Sequence, residues 1–547
     1  MRAGARLSET KNHLLRIFSN YTRLLITLSL GLIVVPLTLR WLGDSAFGII
    51  TLLGANIGLA GIFRQIIQQS LVRELGQAYH SDDESFRKNY ATICLISVVC
   101  TGLSVVSFAI VYFLIPSFKI SEEFVTPARW FVIGQGCYTA AMILLAPILN
   151  MYLVKEKFIG YNIWYIGVRA SNIVSVFILG YVIAIDDPAL GLTLHGVTWA
   201  SLATIGMLIA AVVMVSKDHR LMFRIKGSDQ EARSQVLSTF SWNTGVQVAM
   251  NLHEQIPPLL LNLFNGTLAN AAWGVGFRFV AYIRMCTTGV QFGSDAVSAR
   301  LASGDDDEES RRKLQRLISI QTKLTSMIAI PAAVVIFFYG WPIFDLWVGS
   351  SLENYNTVMP IAVYMSRILA IALVARAISD TWMIILYGSG YIKAYAPWIF
   401  AGGIFAPLSS VILMLVLPEH LVVYAPPTMF ALVFVVIHLF GLPIIAGKCL
   451  HIKASSLLLS LTRPLIATII ALAGAWAVLY FSGHLSDLGM RGTINFERRI
   501  SIDRAWVFGS VLLFAMIYAI ASFTIVLDAP ERSRILNMIN RRSSNQQ

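Results

Sequence analysis

Stretches of roughly twenty consecutive apolar residues recur along almost all of this 547-residue chain, and nothing else in it constrains the fold as tightly. A run of that length spans the hydrocarbon layer of a bilayer when wound as an α-helix rising about 1.5 Å per residue. Strands of a membrane barrel would be shorter and would alternate polar with apolar residues, which these do not. With 56% hydrophobic and 13% charged residues, the chain also lacks the polar side chains needed to coat a soluble particle of its size. The expected fold is all-α, a polytopic membrane protein.

Hydropathy places about fourteen transmembrane helices, near 21–39, 46–68, 90–114, 127–149, 161–183 and 195–215, then 236–260, 268–292, 317–340, 358–386, 394–417 and 421–446, and last 464–482 and 505–527. The first apolar stretch runs on to Leu39 with no small-residue cleavage site after it, so it reads as an uncleaved span and not as a signal peptide. The corresponding division is a cytoplasmic segment over 1–20, an N-terminal six-helix bundle over 21–220, a C-terminal six-helix bundle over 221–450, two additional transmembrane helices over 451–530 and a basic cytoplasmic tail over 531–547. No loop is long enough for an independent soluble domain, and no GxxxxGK[ST] occurs, so an ATPase domain is excluded. The five cysteines show no CxxC spacing and read as small core residues; no metal and no cofactor is expected.

The net charge of +12 is spread over short loops, which argues for topology and against nucleic acid as a partner. With both termini cytoplasmic, about 27 of the 42 Lys and Arg fall in loops on the inner side. A multi-pass protein of the inner (cytoplasmic) membrane is the expectation.

A faint repeat divides the chain. Pro36, a short apolar stretch, Gly43 and the pair Phe47-Gly48 are echoed by Pro257-Pro258, an apolar stretch, Gly266 and the pair Trp273-Gly274. Two pseudo-symmetric six-helix bundles around a central cavity, plus two C-terminal helices, is the simplest arrangement. Such duplication accompanies alternating access, in which two halves rock about a shared site.

Ionised side chains in hydrocarbon cost several kcal/mol on most estimates, so cations inside the spans need a partner, a wet cavity or an anionic ligand. Arg278 lies near mid-membrane on the eighth span, with Arg284 roughly 120° away on the same helix in a stripe with Thr288, Gln291 and Asp295. Arg64 sits in the second span beside Gln65, Gln68 and Gln69, and Arg23 shares a face of the first span with Asn20, Thr27 and Thr38. On the seventh span Asn243, Gln247, Asn251 and Glu254 fall within about 80° of one another, a polar stripe that cannot face lipid. Pro257 and Pro258 beyond it are expected to kink the helix. Arg376 and Asp380, spaced i,i+4 on the tenth span, read as a structural or gating pair, whereas Arg169 and Lys323 lie near enough to the inner surface to snorkel.

Three segments carry a family resemblance. Arg40 to Ile49, RWLGDSAFGI, resembles the Arg-x-Leu-Gly segment with a following aromatic-Gly pair that joins the first two spans of polysaccharide-exporting flippases. Arg300 to Asp305 with the charged helix start Glu308 to Arg316 resembles their loop after the eighth span, and Leu386 to Lys393 the loop after the tenth. These flippases belong to the multidrug, oligosaccharidyl-lipid and polysaccharide exporter superfamily. In one respect the chain departs from many relatives: where their second span ends in small or acidic residues, it has the bulkier, basic Gly61 to Gln69.

The resemblance implies a carrier, not an enzyme, that turns over a polyprenyl-pyrophosphate-linked oligosaccharide for O-antigen or exopolysaccharide assembly. Planar guanidiniums that stay ionised at any physiological pH suit a pyrophosphate. Arg278, Arg64, Arg284 and Arg23, with Asn243, Gln247 and Asn251, are therefore the expected substrate contacts, and Glu254, Arg376 and Asp380 the coupling or gating groups. Expected partners are the lipid-linked oligosaccharide, the bilayer, a coupling proton or sodium ion, and polysaccharide polymerase or assembly proteins. The alternatives are a cation-coupled drug or metabolite exporter of the same superfamily, a membrane glycosyltransferase or polymerase, and a channel or scaffold. The first would favour acidic cavity residues and the second paired carboxylates or a large external loop.

Overall fold

A computed structural model describes residues 2–54, 75–76, 79, 83–227, 230–291, 294–302, 308–485, 504–533 and 537. Among them every regular element is helical: α1 Arg2–Leu53, α2 Asp83–Leu114, α3 Glu122–Val154, α4 Phe158–Phe177, α5 Pro188–Lys217, α6 Gln230–Asn265, α7 Thr267–Gln291, α8 Ser294–Ala302, α9 Glu308–Val348, α10 Tyr355–Gly388, α11 Ile392–Val416, α12 Ala425–Leu450, α13 Thr462–Phe481 and α14 Arg504–Ala521.

Eleven helical stretches among the described residues are long and apolar enough to cross a membrane. Three of the expected fourteen spans are not among them, for separate reasons. The second runs into residues 55–74, outside the described set. α6 and α7, at 36 and 25 residues, have the length. They are also the helices with the expected polar stripes, and on α7 Asn270, Arg278 and Arg284 lower the apolarity of a helix otherwise suited to lipid. α6 continues through Pro257 and Pro258 as one helix.

Local sequence explains several boundaries. Asp187 caps α5, its carboxylate accepting the Ala189 N–H at 2.9 Å, with Pro188 in the first helical position, where no N–H is needed. Gly43, at φ +76°, interrupts α1 between the first two expected spans, and Gly266, at φ +82°, separates α6 from α7. Both sit where a side chain would be strained, and they are the two glycine turns of the sequence repeat.

Two compact units emerge. One comprises Met1–Val275, Ser350–Ile361 and Ala396–Met429, the other Gly276–Gly349, Ala362–Tyr395 and Phe430–Gln547. Because lipid tails are as apolar as the side chains they contact, helix association in a bilayer relies on close packing and small residues. In the first unit α3 and α5 cross so closely that a Cβ on Gly134 would lie 2.3 Å from the Gly196 carbonyl oxygen. Next to that crossing His195 is buried, its Nδ1 3.0 Å from Ser175 Oγ on α4, with Trp41, Phe131 and Trp199 around its ring. In the second unit Ala467, Ala471 and Ala475 form a fully buried stripe on α13, the last two packed near Phe514 of α14 and Val334 and Val335 of α9 and the first near Ala521 of α14 and Met327 of α9. Phe113, Val212, Leu415 and Ile520 are exposed, as the lipid-facing sides of such helices require. Of the cysteines expected as core residues only Cys94 is buried, and Cys137 and Cys286 are exposed.

Candidate functional site

A dense polar assembly in the second unit is built on about two turns of α10. Arg376 and Asp380 lie one above the other, as i,i+4 residues must, with Arg376 Nε 2.8 Å from Asp380 Oδ1. The Arg376 guanidinium also lies over the Phe434 ring of α12, 5.3 Å from its centroid. From α7, Arg284 Nε donates to Asp380 Oδ2 at 3.1 Å. One carboxylate is thus shared by two guanidiniums from two helices.

The surrounding side chains secure that turn. Ser379 Oγ donates to the Arg376 carbonyl and is 3.0 Å from His438 Nδ1 on α12. Gln291 of α7 donates through Nε2 to the Ala377 carbonyl at 2.8 Å and to Thr381 Oγ1 at 3.0 Å. Thr325 of α9 is 3.0 Å from Thr381 Oγ1, and Trp382 Nε1 donates to Thr322 Oγ1 at 2.9 Å. Residues 376–382 therefore have partners on α7, α9 and α12. His438 lies in a π-helical stretch, Phe434–Gly441, a local widening that recurs at functional positions.

Exposure grades the charged trio. The side chains of Arg376, Asp380 and Arg284 are 8%, 13% and 32% exposed. The trio carries one more positive than negative charge. Its innermost member is fixed by its own helix and an aromatic face, and its outermost reaches in from another helix.

In the first unit Arg23 of α1 lies over two rings of α4, 5.3 Å from the Tyr161 centroid and 5.2 Å from that of Tyr165. Arg169 adds a second guanidinium 5.6 Å from the Tyr165 centroid. Asn162 donates to Ser19 Oγ at 2.7 Å and holds the same two helices together. Two cations on stacked tyrosines make a basic, hydrogen-bonding patch where α1 packs on α4.

The remaining expected site residues are more scattered. Arg64 lies outside the described residues, and Asn243 is on α6 with its side chain outside them. Gln247 and Glu254 are half-buried. Asn251 is buried and donates to the carbonyl of Gln247 one turn back at 2.9 Å, so part of the expected stripe is bound to its own helix. Arg278 is half-buried on α7. Lys323, read as near enough to the inner surface to snorkel, is in ion pairs with Glu531 at 2.7 Å and Asp528 at 3.2 Å, both beyond the end of the last span.

Sequence reasoning paired Arg376 with Asp380 but set Arg284 apart as a ligand contact, and it missed Ser379, His438, Tyr161 and Tyr165. The i,i+4 spacing of the two tyrosines on the span beside Arg169 was the available signal for the aromatic patch.

No family model matches the chain, and no curated protein matches it. Solved structures do. The lipid II flippase MurJ in an inward closed conformation aligns with a TM-score of 0.63 at 13% identity, over 93% of this chain and 98% of that one. A multidrug resistance MATE family transporter of the MOP superfamily in an inward-facing conformation aligns with a TM-score of 0.59 at 13% identity, over 78% and 98%. A MOP superfamily transporter from Pyrococcus furiosus aligns at 0.54 and 15%, over 81% and 96%. The fold of this chain resembles that of MOP superfamily transporters.

Proposed function

We propose that this protein is an alternating-access flippase that carries a polyprenyl-pyrophosphate-linked oligosaccharide from the inner to the outer leaflet of the cytoplasmic membrane, for surface or exopolysaccharide assembly. The observation that carries the reading is the meeting of two guanidiniums, Arg376 and Arg284, at the Asp380 carboxylate inside apolar helices. An anionic headgroup is the natural complement of such a site, and guanidiniums meet phosphate oxygens in bidentate geometry. Arg23 with Tyr161, Tyr165 and Arg169 supplies a first basic contact on a lateral face of the helices, from which a prenyl tail can stay in lipid. Arg278, Arg64, Gln247, Asn251 and Asn243 complete the proposed contacts, with Glu254 as a coupling group for a proton or sodium ion. The basic loops keep both termini cytoplasmic. A flippase and multidrug carriers of the same architecture support the transport class.

The test is transport in proteoliposomes loaded with a fluorescent undecaprenyl-pyrophosphate-linked sugar. Arg278→Ala and Arg64→Ala reach the membrane at wild-type levels and lose flipping. Unchanged flipping in both refutes the assignment.

A further inference from the structure

Resting on that reading, we infer that Asp380 is an internal rival of the substrate: it holds the Arg284 guanidinium while the carrier is empty, yields it to the pyrophosphate on loading, and reclaims it to eject the headgroup. The two ion pairs of this carboxylate are unequal, and the inequality makes the exchange feasible. Arg376 belongs to the same helix, is 8% exposed, and is pinned against Phe434. Arg284 comes from α7, is 32% exposed, and meets Asp380 through Nε at 3.1 Å. If Arg284 turned away, Asp380 would keep Arg376 on its other oxygen, so no buried carboxylate would be stranded by the release. Without Arg376 the same motion would leave a bare charge in a low-dielectric interior. Arg376 is thus a positioning residue that makes Arg284 transferable.

The exchange also suits the chemistry of the two anions. A pyrophosphate diester brings two negative charges and more acceptor oxygens than one carboxylate, which favours it for a planar guanidinium when the headgroup is at hand. Asp380 has the advantage of tethering, since its effective concentration at Arg284 is fixed by the fold and does not fall as the substrate diffuses off. A site of arginines alone would bind the headgroup and release it slowly. A carrier that must release benefits from a built-in competitor, because tight binding of a loaded state lowers turnover. The neighbouring hydrogen bonds of Gln291, Thr381 and Ser379 keep residues 376–382 in place while Arg284 moves.

The experiment measures binding of geranyl pyrophosphate to the purified full-length protein in detergent, with flipping measured in proteoliposomes. Asp380→Asn keeps the shape and removes the competing charge. It is expected to bind the probe about tenfold more tightly, with kcat and KM for flipping both reduced. Arg376→Gln leaves Asp380 leaning on Arg284 and is expected to shift affinity the other way, several-fold weaker. In the double variant Arg284→Gln with Asp380→Asn the gain from asparagine disappears. A purely structural role for the trio predicts that Asp380→Asn and Arg376→Gln weaken binding together, and that result overturns the inference. Weaker or unchanged binding by Asp380→Asn, with the wild type binding normally, overturns it as well while leaving the flippase reading intact. No binding of the prenyl pyrophosphate by the wild type removes both.

Discussion

A methyl group placed on Gly48 would stand 2.1 Å from the carbonyl oxygen of Thr267, and one on Gly274 would stand 2.3 Å from Thr51 Oγ1 and 2.9 Å from Phe47. The two aromatic-Gly pairs of the sequence repeat therefore lie against each other's helix segments, just after the two glycine turns. At Gly48 the obstacle is backbone, so a Cβ requires the helices to separate, whereas at Gly274 it is the Thr51 and Phe47 side chains that must give way. We expect Gly48→Ala and Gly274→Ala each to destabilise the protein by about 1–3 kcal/mol, the usual range for overpacking. Gly102 on α2 has nothing within 4 Å of its would-be Cβ, and Gly102→Ala is expected to be neutral or slightly stabilising. Thermal unfolding in detergent compares the three, and equal effects at Gly48 and Gly102 would contradict the close-packing account.

Arg23 offers a separation of binding from stability. Its guanidinium lies over the faces of Tyr161 and Tyr165, each contact worth on the order of 0.5–2 kcal/mol, so Arg23→Gln is expected to lower the unfolding temperature only slightly while strongly reducing capture of a lipid-linked pyrophosphate. Arg23→Lys keeps the charge but loses the planar fork and is expected to recover part of the function. Initial rates of flipping at subsaturating substrate make the comparison; a lysine variant as inactive as the glutamine variant would show that charge is not what the position supplies.

How much of this was legible in the sequence depended on the range of the interaction. Hydropathy reads single segments, so eleven of the fourteen expected spans coincide with helical stretches long and apolar enough to cross a membrane, and α10's Arg376–Asp380 pair followed from helical spacing alone. Arg284 and Asp380 are 96 positions apart, and nothing local in either helix points to the other. The same holds for Lys323, whose carboxylate partners are more than 200 positions away. The glycine turns illustrate a middle case. Their place in a repeat was visible, but the positive φ of Gly43 and Gly266 and the contacts of Gly48 and Gly274 depend on helices that must first be packed.

At the end of α5 a cluster of charges sets a pH dependence. Burial pushes the Asp218 carboxyl up, but hydrogen bonds from Arg220 and Lys155 outweigh it and hold the group well below its ordinary value of 3.8. Arg220 also reaches Asp83 at 2.8 Å, joining the start of α2 to the cluster. A carboxyl whose folded value is depressed stabilises the folded state fully above the unfolded value, and that contribution is lost as pH falls through the folded one. Stability is therefore expected to be insensitive to Asp218 between neutrality and about pH 5, and to decline below about pH 4. Asp218→Asn is expected to lower stability at pH 7 and to flatten the acid limb, as read by unfolding temperature against pH. An unchanged acid limb would place the dependence elsewhere.

Lys323 on α9 meets Glu531 at 2.7 Å and Asp528 at 3.2 Å, and Arg463 at the start of α13 reaches the other oxygen of Asp528 at 2.6 Å. Three helices of the second unit are thus tied at one end by two cations and two carboxylates that follow α14. The exposure of the partners decides how strong this tie is. Lys323 is 12% exposed and Glu531 30%, whereas Arg463 and Asp528 are each more than half exposed. The inner pair should lie between the roughly 1 kcal/mol limit of exposed pairs and the 3 kcal/mol or more lost on breaking buried ones, and the outer pair near the lower limit. Lys323→Met is accordingly expected to cost about 1–3 kcal/mol and Arg463→Met less than about 1. Because Lys323 and Glu531 touch, their effects are coupled, and a double-mutant cycle with Glu531→Gln should return an interaction of about 0.5–3 kcal/mol. A cycle that sums to zero would mean that Lys323 lies against Glu531 without holding α9 to the end of α14.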